Sequence, residues 1–233
     1  NEFQIFSADY SQVELRVMAH LSGDKSLISA LNNGEDIHTF TAKNIFNIDN
    51  DDMVLPEMRR IAKIVNFGIM YGAGPFRLSQ ELDIPFGEAK QIKDAYFKKY
   101  QGIEKYIENS KLQIKETKSV ATLLGRKRAV WDSDSQNKIR RDAAERMAIN
   151  MPIQGTAAEM IKLAMIKIHR QMNKENLKSK LIMQIHDELL LEVHQDEIDY
   201  ISKMVIENMR DAMKLDVPIE IDFGVGPSWY EAH

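Results

Sequence analysis

Two adjacent carboxylates, Asp187 and Glu188, lie beside His186 between two short apolar runs, 181–185 and 189–193. Both runs have strand length and contain β-branched residues, so the pattern predicts a tight hairpin with three polar residues at its tip. Two carboxylates on a buried hairpin repel each other and lose hydration, which is costly unless a cation compensates them. Mg²⁺, which prefers oxygen ligands, is the natural candidate. The alternative is an ordinary solvated turn, in which acidic residues are common.

A third carboxylate, Asp9, ends another alternating apolar run, 3–9. Helical spacing follows over 13–21, so the pattern predicts a strand that leads into a helix ending at Gly23. Asp9 alone is compatible with a helix-capping role as well as with metal binding. If it lies beside Asp187 in the fold, the pair could hold two Mg²⁺ ions about 3.5–4 Å apart and support in-line phosphoryl transfer.

A different chemistry is indicated on the helix that is predicted to begin at Pro56 and to end before Gly72. Four side chains spaced four residues apart form one stripe along it: Arg59, Lys63, Phe67 and Tyr71. Two cations followed by two rings match the order of phosphates and base in a nucleotide, because cations bind phosphates and rings stack on bases. The alternative is an amphipathic helix with solvated cations, which leaves the two rings on that face unexplained.

The most positive region begins at a hairpin predicted over 119–131, whose tip contains Arg126, Lys127 and Arg128, and it continues over 138–146. A contact with a phosphate backbone and a solvated charge run both explain it.

A long helical pattern over 136–172 carries Asn150 and Gln154 four residues apart, so the two amides share a face. Amides on one face can hydrogen-bond base edges in a minor groove, although polar residues in a helix also simply face solvent. Pro152 predicts that this helix is kinked or split.

The composition is that of a globular protein: 233 residues, 44% hydrophobic, 28% charged, with a formal net charge of −4. The net charge does not itself point to nucleic acid, but a local basic face can bind phosphates on an acidic protein. The absence of cysteine excludes disulfides, a thiolate nucleophile and Cys-type zinc sites. We find no apolar run of about 18 residues and no signal-peptide pattern, so we expect no membrane association and a cytoplasmic location. The chain starts without Met inside an apolar run, which suggests a fragment of a longer protein.

Three stretches resemble the motifs of the family A DNA polymerases, the bacterial DNA polymerase I type. Asp9-Tyr10-Ser11-Gln12-Val13-Glu14-Leu15-Arg16 resembles motif A, Arg59-x₃-Lys63-x₃-Phe67-Gly68-x₂-Tyr71-Gly72 resembles motif B, and His186-Asp187-Glu188 resembles motif C. The motifs occur in the family's order and span nearly the whole chain, so the resemblance is highly specific.

The resemblance implies an α+β fold, with an antiparallel palm sheet flanked by helices and a mainly helical fingers subdomain inserted into it. It places the palm at residues 1–31 and 148–233 and the fingers at 32–147. The family's thumb lies upstream of motif A, so we expect the thumb and any exonuclease domains to be absent from this chain. A palm without a thumb would grip DNA poorly, and we therefore expect weak or no activity from this chain alone.

The implied activity is template-directed DNA polymerisation: transfer of dNMP from dNTP to a primer 3′-hydroxyl with release of pyrophosphate, in DNA replication and repair. The implied cofactors are two Mg²⁺ ions, with Mn²⁺ as a substitute. The implied partners are primer–template DNA and dNTPs, and we expect a monomer.

The resemblance also assigns residues. The catalytic set is Asp9, Asp187, Glu188 and Lys63, of which Lys63 would protonate the leaving pyrophosphate. The metal ligands are Asp9, Asp187 and the carbonyl of Tyr10. The nucleotide-binding set is Arg59, Lys63, Phe67, Tyr71, His38, Glu14 and Gln12, in which Glu14 and Tyr71 would reject a ribose 2′-hydroxyl. The DNA-binding set is Arg146, Asn150, Gln154 and His186, with Gln12 also near the primer–template.

Two other functions compete with this one. A two-metal nuclease would share the carboxylates but would not need the stripe of cations and rings. A non-catalytic nucleic-acid-binding module would use Arg146, Asn150 and Gln154 but would be indifferent to Asp9 and Asp187.

Overall fold

The computed structural model describes residues 2–233, and its fold class is α+β with an antiparallel sheet, as predicted. In chain order the helices are α1 (Val13–Ser22), α2 (Lys25–Asn32), α3 (Ile37–Phe46), α4 (Pro56–Met70), α5 (Pro75–Leu82), α6 (Phe86–Lys99), α7 (Gln101–Thr117), α8 (Lys138–Lys174), α9 (Ile198–Arg210) and α10 (Trp229–Ala232). The strands are β1 (Phe3–Tyr10), β2 (Ser119–Ala121), β3 (Lys127–Ala129), β4 (Lys180–Ile185), β5 (Glu188–His194) and β6 (Ile221–Gly226).

The chain divides into two compact units. Unit 1 contains the chain up to Arg16 and again from Thr156 to His233, and unit 2 is Val17–Gly155. The chain passes from one unit to the other within α1 and within α8. The palm and fingers boundaries expected at residues 31 and 148 stay a prediction.

Unit 1 is built on a four-stranded antiparallel sheet with the strand order β4-β5-β1-β6. The inner strands are buried, with Phe6 and Ala8 of β1 and Leu189 of β5 fully inaccessible to solvent. The register places Asp9 of β1 opposite Glu188 of β5 and opposite Asp222 of β6. Because directly opposed residues share one face of a sheet, the register brings three acidic side chains together.

The predicted acidic hairpin is confirmed, but its turn is shorter than expected. The turn consists of His186 and Asp187, because Glu188 already pairs with Ile185 and with Asp9 as the first residue of β5. Only one run of the hairpin is buried: β5 lies inside the sheet, whereas β4 forms its edge and exposes most of its side chains.

Unit 2 is mainly helical, and α4 is the helix that carries the stripe of candidate site residues. This helix begins at Pro56, as predicted, because proline lacks only an N–H that the first helical turn leaves unbonded. It ends before Gly72, whose φ of +77° favours glycine. A Cβ at Gly72 would lie 3.1 Å from Ile149 and 3.2 Å from the side chain of Arg146. Gly72 therefore also permits the close approach of α8 to the end of α4.

The expected split of α8 at Pro152 is wrong, since the helix runs without interruption from Lys138 to Lys174, and the alternative of a kink stays a prediction. A proline removes a single backbone donor from the ladder. The neighbouring side chains of Ile149 and Ile153 are buried, so apolar packing on both sides of Pro152 supports the helix.

The hairpin predicted over 119–131 is confirmed as β2 and β3. Its inner side packs into an apolar cluster formed by Ile114, Val120, Val130, Ala144 and Ala148. The described part of the chain, 2–233, contains no helix that is long and apolar enough to cross a lipid bilayer.

Candidate functional site

The first group of candidate residues lies at the end of β1 in unit 1. The backbone N–H of Tyr10 donates to the carbonyl of Asp187 at 3.4 Å, which ties the β4–β5 turn to this strand end. Asp9 is half-buried, and its Oδ1 is a buried atom with no hydrogen-bond partner among residues 2–233. Asp9 is not a helix cap, because it lies within β1 and α1 begins only at Val13.

Burial and, after it, electrostatic repulsion make this strand end costly for a negative charge. Burial, followed by the carboxylates of Asp187, Glu188 and Asp222, raises the pKa of Asp9 to about 6, although the N–H of Tyr10 acts in the opposite direction. Asp9 is a carboxylate that has an unpartnered oxygen and lies beside a second carboxylate. A divalent cation would compensate the repulsion between two such groups.

The donor atoms at this strand end fit such a cation. Among residues 2–233, no group of three or more His, Asp or Glu side chains has the arrangement of a ready metal site. The candidate donors at this strand end are two carboxylates, those of Asp9 and Asp187, and one backbone carbonyl, that of Tyr10. All of them are oxygens, which suits Mg²⁺ or Mn²⁺ and not a thiolate-seeking metal.

Glu188 has a different environment from Asp9. It is buried, and its Oε1 accepts hydrogen bonds from the hydroxyl of Ser7 at 2.5 Å, from Nε1 of Trp229 at 2.9 Å and from Nδ1 of His233 at 3.3 Å. The carboxylate thus joins β1, β5 and the segment around α10. These contacts fix the strand that follows Asp187.

Two residues beside the carboxylates have left-handed backbone conformations. Gln12 has a φ of +52° and His186 has a φ of +53°, which are uncommon values for residues other than glycine. The carbonyl of Gln12 accepts from the N–H groups of Leu15 and Arg16 and so starts α1. Such conformations persist where the surroundings hold them, and they cluster at functional sites.

Arg16 anchors the segment between β1 and α1. Its buried guanidinium donates to the carbonyls of Ser11 at 2.8 Å and Pro218 at 2.6 Å, and to the carboxylate of Glu220 at 2.5 Å. It therefore joins the segment after β1 to the segment that leads into β6.

The second group of candidate residues lies on α4 and α3 in unit 2. Arg59 forms an ion pair with Asp36 at 2.5 Å, and Lys63 is exposed. The rings of Phe67 and Tyr71 are stacked, with centroids 6.1 Å apart and planes 27° apart. The imidazole of His38 lies 5.8 Å from the Phe67 ring. Cations and rings thus follow one another along α4, with His38 beside them.

Asp36 links α3 to this stripe. It caps α3 by accepting from the N–H of His38 at 3.1 Å. Burial alone would raise the pKa of Asp36, but hydrogen bonds from Arg59, Thr39 and the His38 N–H hold it below its usual value. Asp36 is therefore charged near neutral pH and orients the Arg59 guanidinium.

His38 is neutral near neutral pH for a related reason. Burial lowers the pKa of its imidazole, and the charges of Arg59 and Lys63 lower it further, while Asp36 opposes them. A neutral imidazole carries one N–H donor and one acceptor, so its tautomer decides what it can bind.

The candidate DNA-binding residues of unit 2 follow α8 at intervals of four. Arg146 and Asn150 are half-buried and Gln154 is exposed. Oδ1 of Asn150 is buried without a hydrogen-bond partner among residues 2–233. A cavity of about 510 Å³ adjoins Arg146, and cations predominate among its charged lining residues, which are Arg77, Lys111, Lys138, Asp142, Glu145 and Arg146.

Residues 1–231 match the sequence profile of DNA polymerase family A. The chain belongs to this family. DNA polymerase I of Bacillus subtilis is 46% identical over 231 residues, which are 99% of this chain and 26% of that protein. DNA polymerase I of Geobacillus stearothermophilus is 45% identical over the same number of residues and with the same coverage. This chain thus spans about a quarter of the length of these curated relatives.

A solved structure of a related protein has the same fold. It is the POL domain of Pol1 from M. smegmatis in complex with DNA primer–template and dNTP, with a TM-score of 0.96 and 42% sequence identity. The match covers 100% of this chain and 41% of that one.

Several residues around the candidate site of this family A chain escaped the sequence analysis. They are Ser7, Trp229 and His233 on Glu188, and Asp222 opposite Asp9. Asp222 could have been found if the pairing of β6 with β1 had been known. Trp229 and His233 had no local signal, because their role depends on contacts with a residue about 40 positions away.

Proposed function

We propose that this family A chain carries the catalytic centre of a template-directed DNA polymerase that acts in DNA replication and repair. The observation that carries the proposal is the half-buried Asp9, whose Oδ1 lacks a partner among residues 2–233 while Asp187 lies beside it. The related M. smegmatis domain, which was solved with DNA primer–template and dNTP, supports the same substrates.

The proposed cofactors are two Mg²⁺ ions, for which Mn²⁺ can substitute, held by Asp9, Asp187 and the carbonyl of Tyr10. When bound, they supply Lewis-acid stabilisation of the attacking and leaving oxygens. Glu188 already accepts three hydrogen bonds, so we assign it the task of holding Asp187 in position.

The proposed reaction needs few other protein groups. The primer 3′-hydroxyl releases its proton to solvent as its oxygen forms a bond to the α-phosphorus of the dNTP, and the bond from that phosphorus to the bridging oxygen of pyrophosphate breaks. Arg59, Lys63 and His38 bind the triphosphate through charged or neutral N–H donors. Lys63 is the proposed proton donor to the leaving pyrophosphate.

The rest of the nucleotide is recognised through its shape. Phe67 offers its ring to the nucleotide, and the neighbouring Tyr71 extends that aromatic surface. We propose that Tyr71 and Glu14 reject a ribose 2′-hydroxyl and that Gln12 contributes to nucleotide binding.

Primer–template DNA is the proposed macromolecular partner. Arg146, Asn150 and Gln154 form a polar row along α8, from which the amides can hydrogen-bond base edges in a minor groove. His186 and Gln12 are the proposed contacts near the primer end. We further propose that unit 1 contains the palm and unit 2 the fingers, and that the protein works as a monomer in the cytoplasm.

The decisive experiment compares primer extension by the wild type and by Asp187→Asn in Mg²⁺ with four dNTPs. Because this chain spans about a quarter of the length of its curated relatives, the assay uses a longer protein, of the length of those relatives. We expect extension to fall by about three orders of magnitude or more while DNA binding is retained. Asp196→Asn, at an exposed acid after the same hairpin, is the matched control and should extend normally.

The other outcomes identify the competing functions. Mg²⁺-dependent degradation of DNA without extension would indicate a nuclease. DNA binding without any metal-dependent reaction in the wild type would indicate a binding module. Full extension by Asp187→Asn would show that the hairpin is structural and would remove the proposed centre.

A further inference from the structure

Four buried polar side chains, linked one to the next by hydrogen bonds, join α3, α4 and the start of α7. From one end to the other they are Tyr100, Thr41, Asn66 and His38, and each is at most 4% exposed. The Tyr100 hydroxyl lies 2.8 Å from Oγ1 of Thr41, which lies 3.1 Å from Oδ1 of Asn66. Nδ2 of Asn66 lies 3.1 Å from Nδ1 of His38. We call these four residues the His38 relay.

The relay has a direction, which Tyr100 sets. If the single hydroxyl proton of Thr41 is donated to Asn66, then Oγ1 of Thr41 is free to accept from Tyr100. In the reverse direction Tyr100 would accept from Thr41, and its own O–H would have no acceptor, because Thr41 is the only hydrogen-bond partner of the Tyr100 hydroxyl among residues 2–233. A buried O–H without an acceptor is unfavourable, so the forward direction prevails. Burial raises the pKa of Tyr100, so the phenol keeps its proton.

The direction determines which nitrogen of His38 is protonated. Since Oδ1 of Asn66 accepts from Thr41, the amide NH₂ faces Nδ1 of His38, and that nitrogen must accept. The imidazole is neutral near neutral pH, because burial and the charges of Arg59 and Lys63 outweigh Asp36. A neutral imidazole with an accepting Nδ1 carries its proton on Nε2.

We propose that Tyr100, Thr41 and Asn66 hold His38 in the Nε2–H tautomer, so that Nε2 donates a hydrogen bond to the triphosphate of the incoming nucleotide. Nε2 has no hydrogen-bond partner among residues 2–233, and the His38 ring adjoins Phe67 of the α4 stripe. The opposite tautomer would present a lone pair, which phosphate oxygens repel. The use of the donor rests on the proposed nucleotide site, whereas the tautomer itself does not. Tyr100, Thr41 and Asn66 are positioning residues, since they act through His38.

The tautomer can be measured without substrate, by imidazole ¹⁵N NMR on the full chain. The resonances of His38 are identified by their loss in His38→Gln. We expect the wild type to show protonated Nε2 and unprotonated Nδ1 near neutral pH. Asn66→Asp replaces the amide donor by an acceptor of the same shape, and we expect it to move a proton onto Nδ1. A wild-type His38 with its proton on Nδ1 would overturn the proposal.

Tyr100→Phe tests the direction of the relay, because it removes one oxygen at the end farthest from His38. We expect a mixture of tautomers in this variant. Tyr96→Phe is the matched control: its ring is also buried and lies 4.7 Å from the Tyr100 ring, but it is not part of the relay. An unchanged tautomer in Tyr100→Phe would remove Tyr100 from the proposal.

Nucleotide binding tests the use of the donor. We expect Asn66→Asp and Thr41→Val to weaken dNTP binding about tenfold, the usual cost of one hydrogen bond to a charged group. Thr41→Ser restores the hydroxyl and should restore binding, which a purely structural defect of packing would not predict. Unfolding curves of the same samples show whether each variant is folded.

The outcomes separate this inference from the proposed function. If the wild type binds dNTP and Lys63→Ala weakens that binding, but Asn66→Asp leaves it unchanged, the role of the relay is wrong and the nucleotide site stands. If the wild type shows the Nε2–H tautomer but binds no dNTP, the proposed nucleotide site fails, and the phosphate-donor role of His38 fails with it.

Discussion

Two groups of candidate site residues are assembled in opposite ways. One is the set of acidic residues at the end of β1 in unit 1, called the carboxylate centre; the other is the α4 stripe of unit 2, which consists of Arg59, Lys63, Phe67 and Tyr71. Asp9, Glu188 and Asp222 come from three strands and meet only through the register of the sheet. The stripe comes from one helix and its spacing of four residues. The sheet places acidic side chains near Asp9 that raise its pKa, and it leaves an oxygen of Asp9 without a partner among residues 2–233.

The stripe, in contrast, is organised before any ligand arrives. Asp36 already orients Arg59, and the aromatic rings already stack. If the proposed cations bind, the carboxylate centre depends on them for its favourable state, whereas the stripe depends on its own packing. Substitutions in the two regions should therefore have different consequences for activity, ligand binding and stability.

The largest effect is expected at the carboxylate centre. Asp9→Asn removes a proposed metal ligand and should reduce single-turnover primer extension by about three orders of magnitude or more. The same change removes an unfavourable buried charge, so the metal-free protein should become about 1 kcal/mol more stable, a figure lowered for the partial exposure of Asp9. The measurements are extension by the longer protein and urea unfolding of this chain.

Asp222→Asn is the matched control for Asp9→Asn. Asp222 is the exposed partner of Asp9 across β1 and β6 and is the weakest of the three acids that raise the Asp9 pKa. We expect extension to remain within a few-fold of wild type, since exposed charges interact weakly. Equal losses of primer extension in the two variants would mean that the overall negative charge of this region matters, and not the role of Asp9 as a metal ligand.

The next largest effect is expected on α4. Lys63→Ala should weaken dNTP binding by about tenfold or more, because it removes a charged donor to the triphosphate. It should leave stability nearly unchanged, since Lys63 is exposed. Equilibrium binding of dNTP to the chain measures the first effect and thermal unfolding the second.

Arg60→Ala is the control for Lys63→Ala. Arg60 is also an exposed cation of α4, but it lies off the stripe and pairs with Glu57. We expect dNTP binding to be unaffected by its loss. A similar loss in both variants would reveal a non-specific effect of positive charge, and the stripe would lose its proposed role.

A smaller effect is expected from the residues that hold Glu188. Ser7→Ala removes the hydroxyl that donates to the buried carboxylate, and we expect the free energy of unfolding to fall by about 1–2 kcal/mol. Tyr230→Phe removes a hydroxyl beside Trp229 on a residue that is 92% exposed, and it should change nothing. Urea unfolding of both variants checks this, and an unaltered Ser7→Ala would mean that the short contact contributes no net stability.

The same contrast explains what the sequence could predict. The stripe on α4 was visible because helical periodicity is local, and the acidic hairpin was visible because its two strands are adjacent in the chain. The start of α4 at Pro56 followed from the preference of proline for the first helical position, which depends on a few neighbouring residues.

Features that depend on distant packing were not visible. The partners of Glu188 lie 181 and 41 positions away in Ser7 and Trp229, and the Tyr100–Thr41 contact joins residues 59 positions apart. Pro152 illustrates the reverse case, in which packing of the surrounding residues keeps unbroken a helix that the local pattern allowed to split. The turn length was missed because Glu188 is polar, while its burial is decided by β1 and α10.

The smallest expected effect is the pH dependence of stability that Asp9 causes. Its pKa is about 6 in the folded protein, against an ordinary value of 3.8. Because the folded-state pKa is raised, the proton on Asp9 stabilises the folded state fully below pH 3.8, and this stabilisation is lost as the pH rises through about 6. In metal-free buffer, wild type should therefore lose about 1 kcal/mol of unfolding free energy relative to Asp9→Asn across this window, with little further change above it.

Urea unfolding of both proteins over a pH series measures the difference, and Mg²⁺ should reduce it because the cation favours the charged carboxylate. A difference that stays constant with pH, or that Mg²⁺ leaves unchanged, would show that the charge at the end of β1 is already compensated by the protein and that the contrast with α4 is not electrostatic in origin.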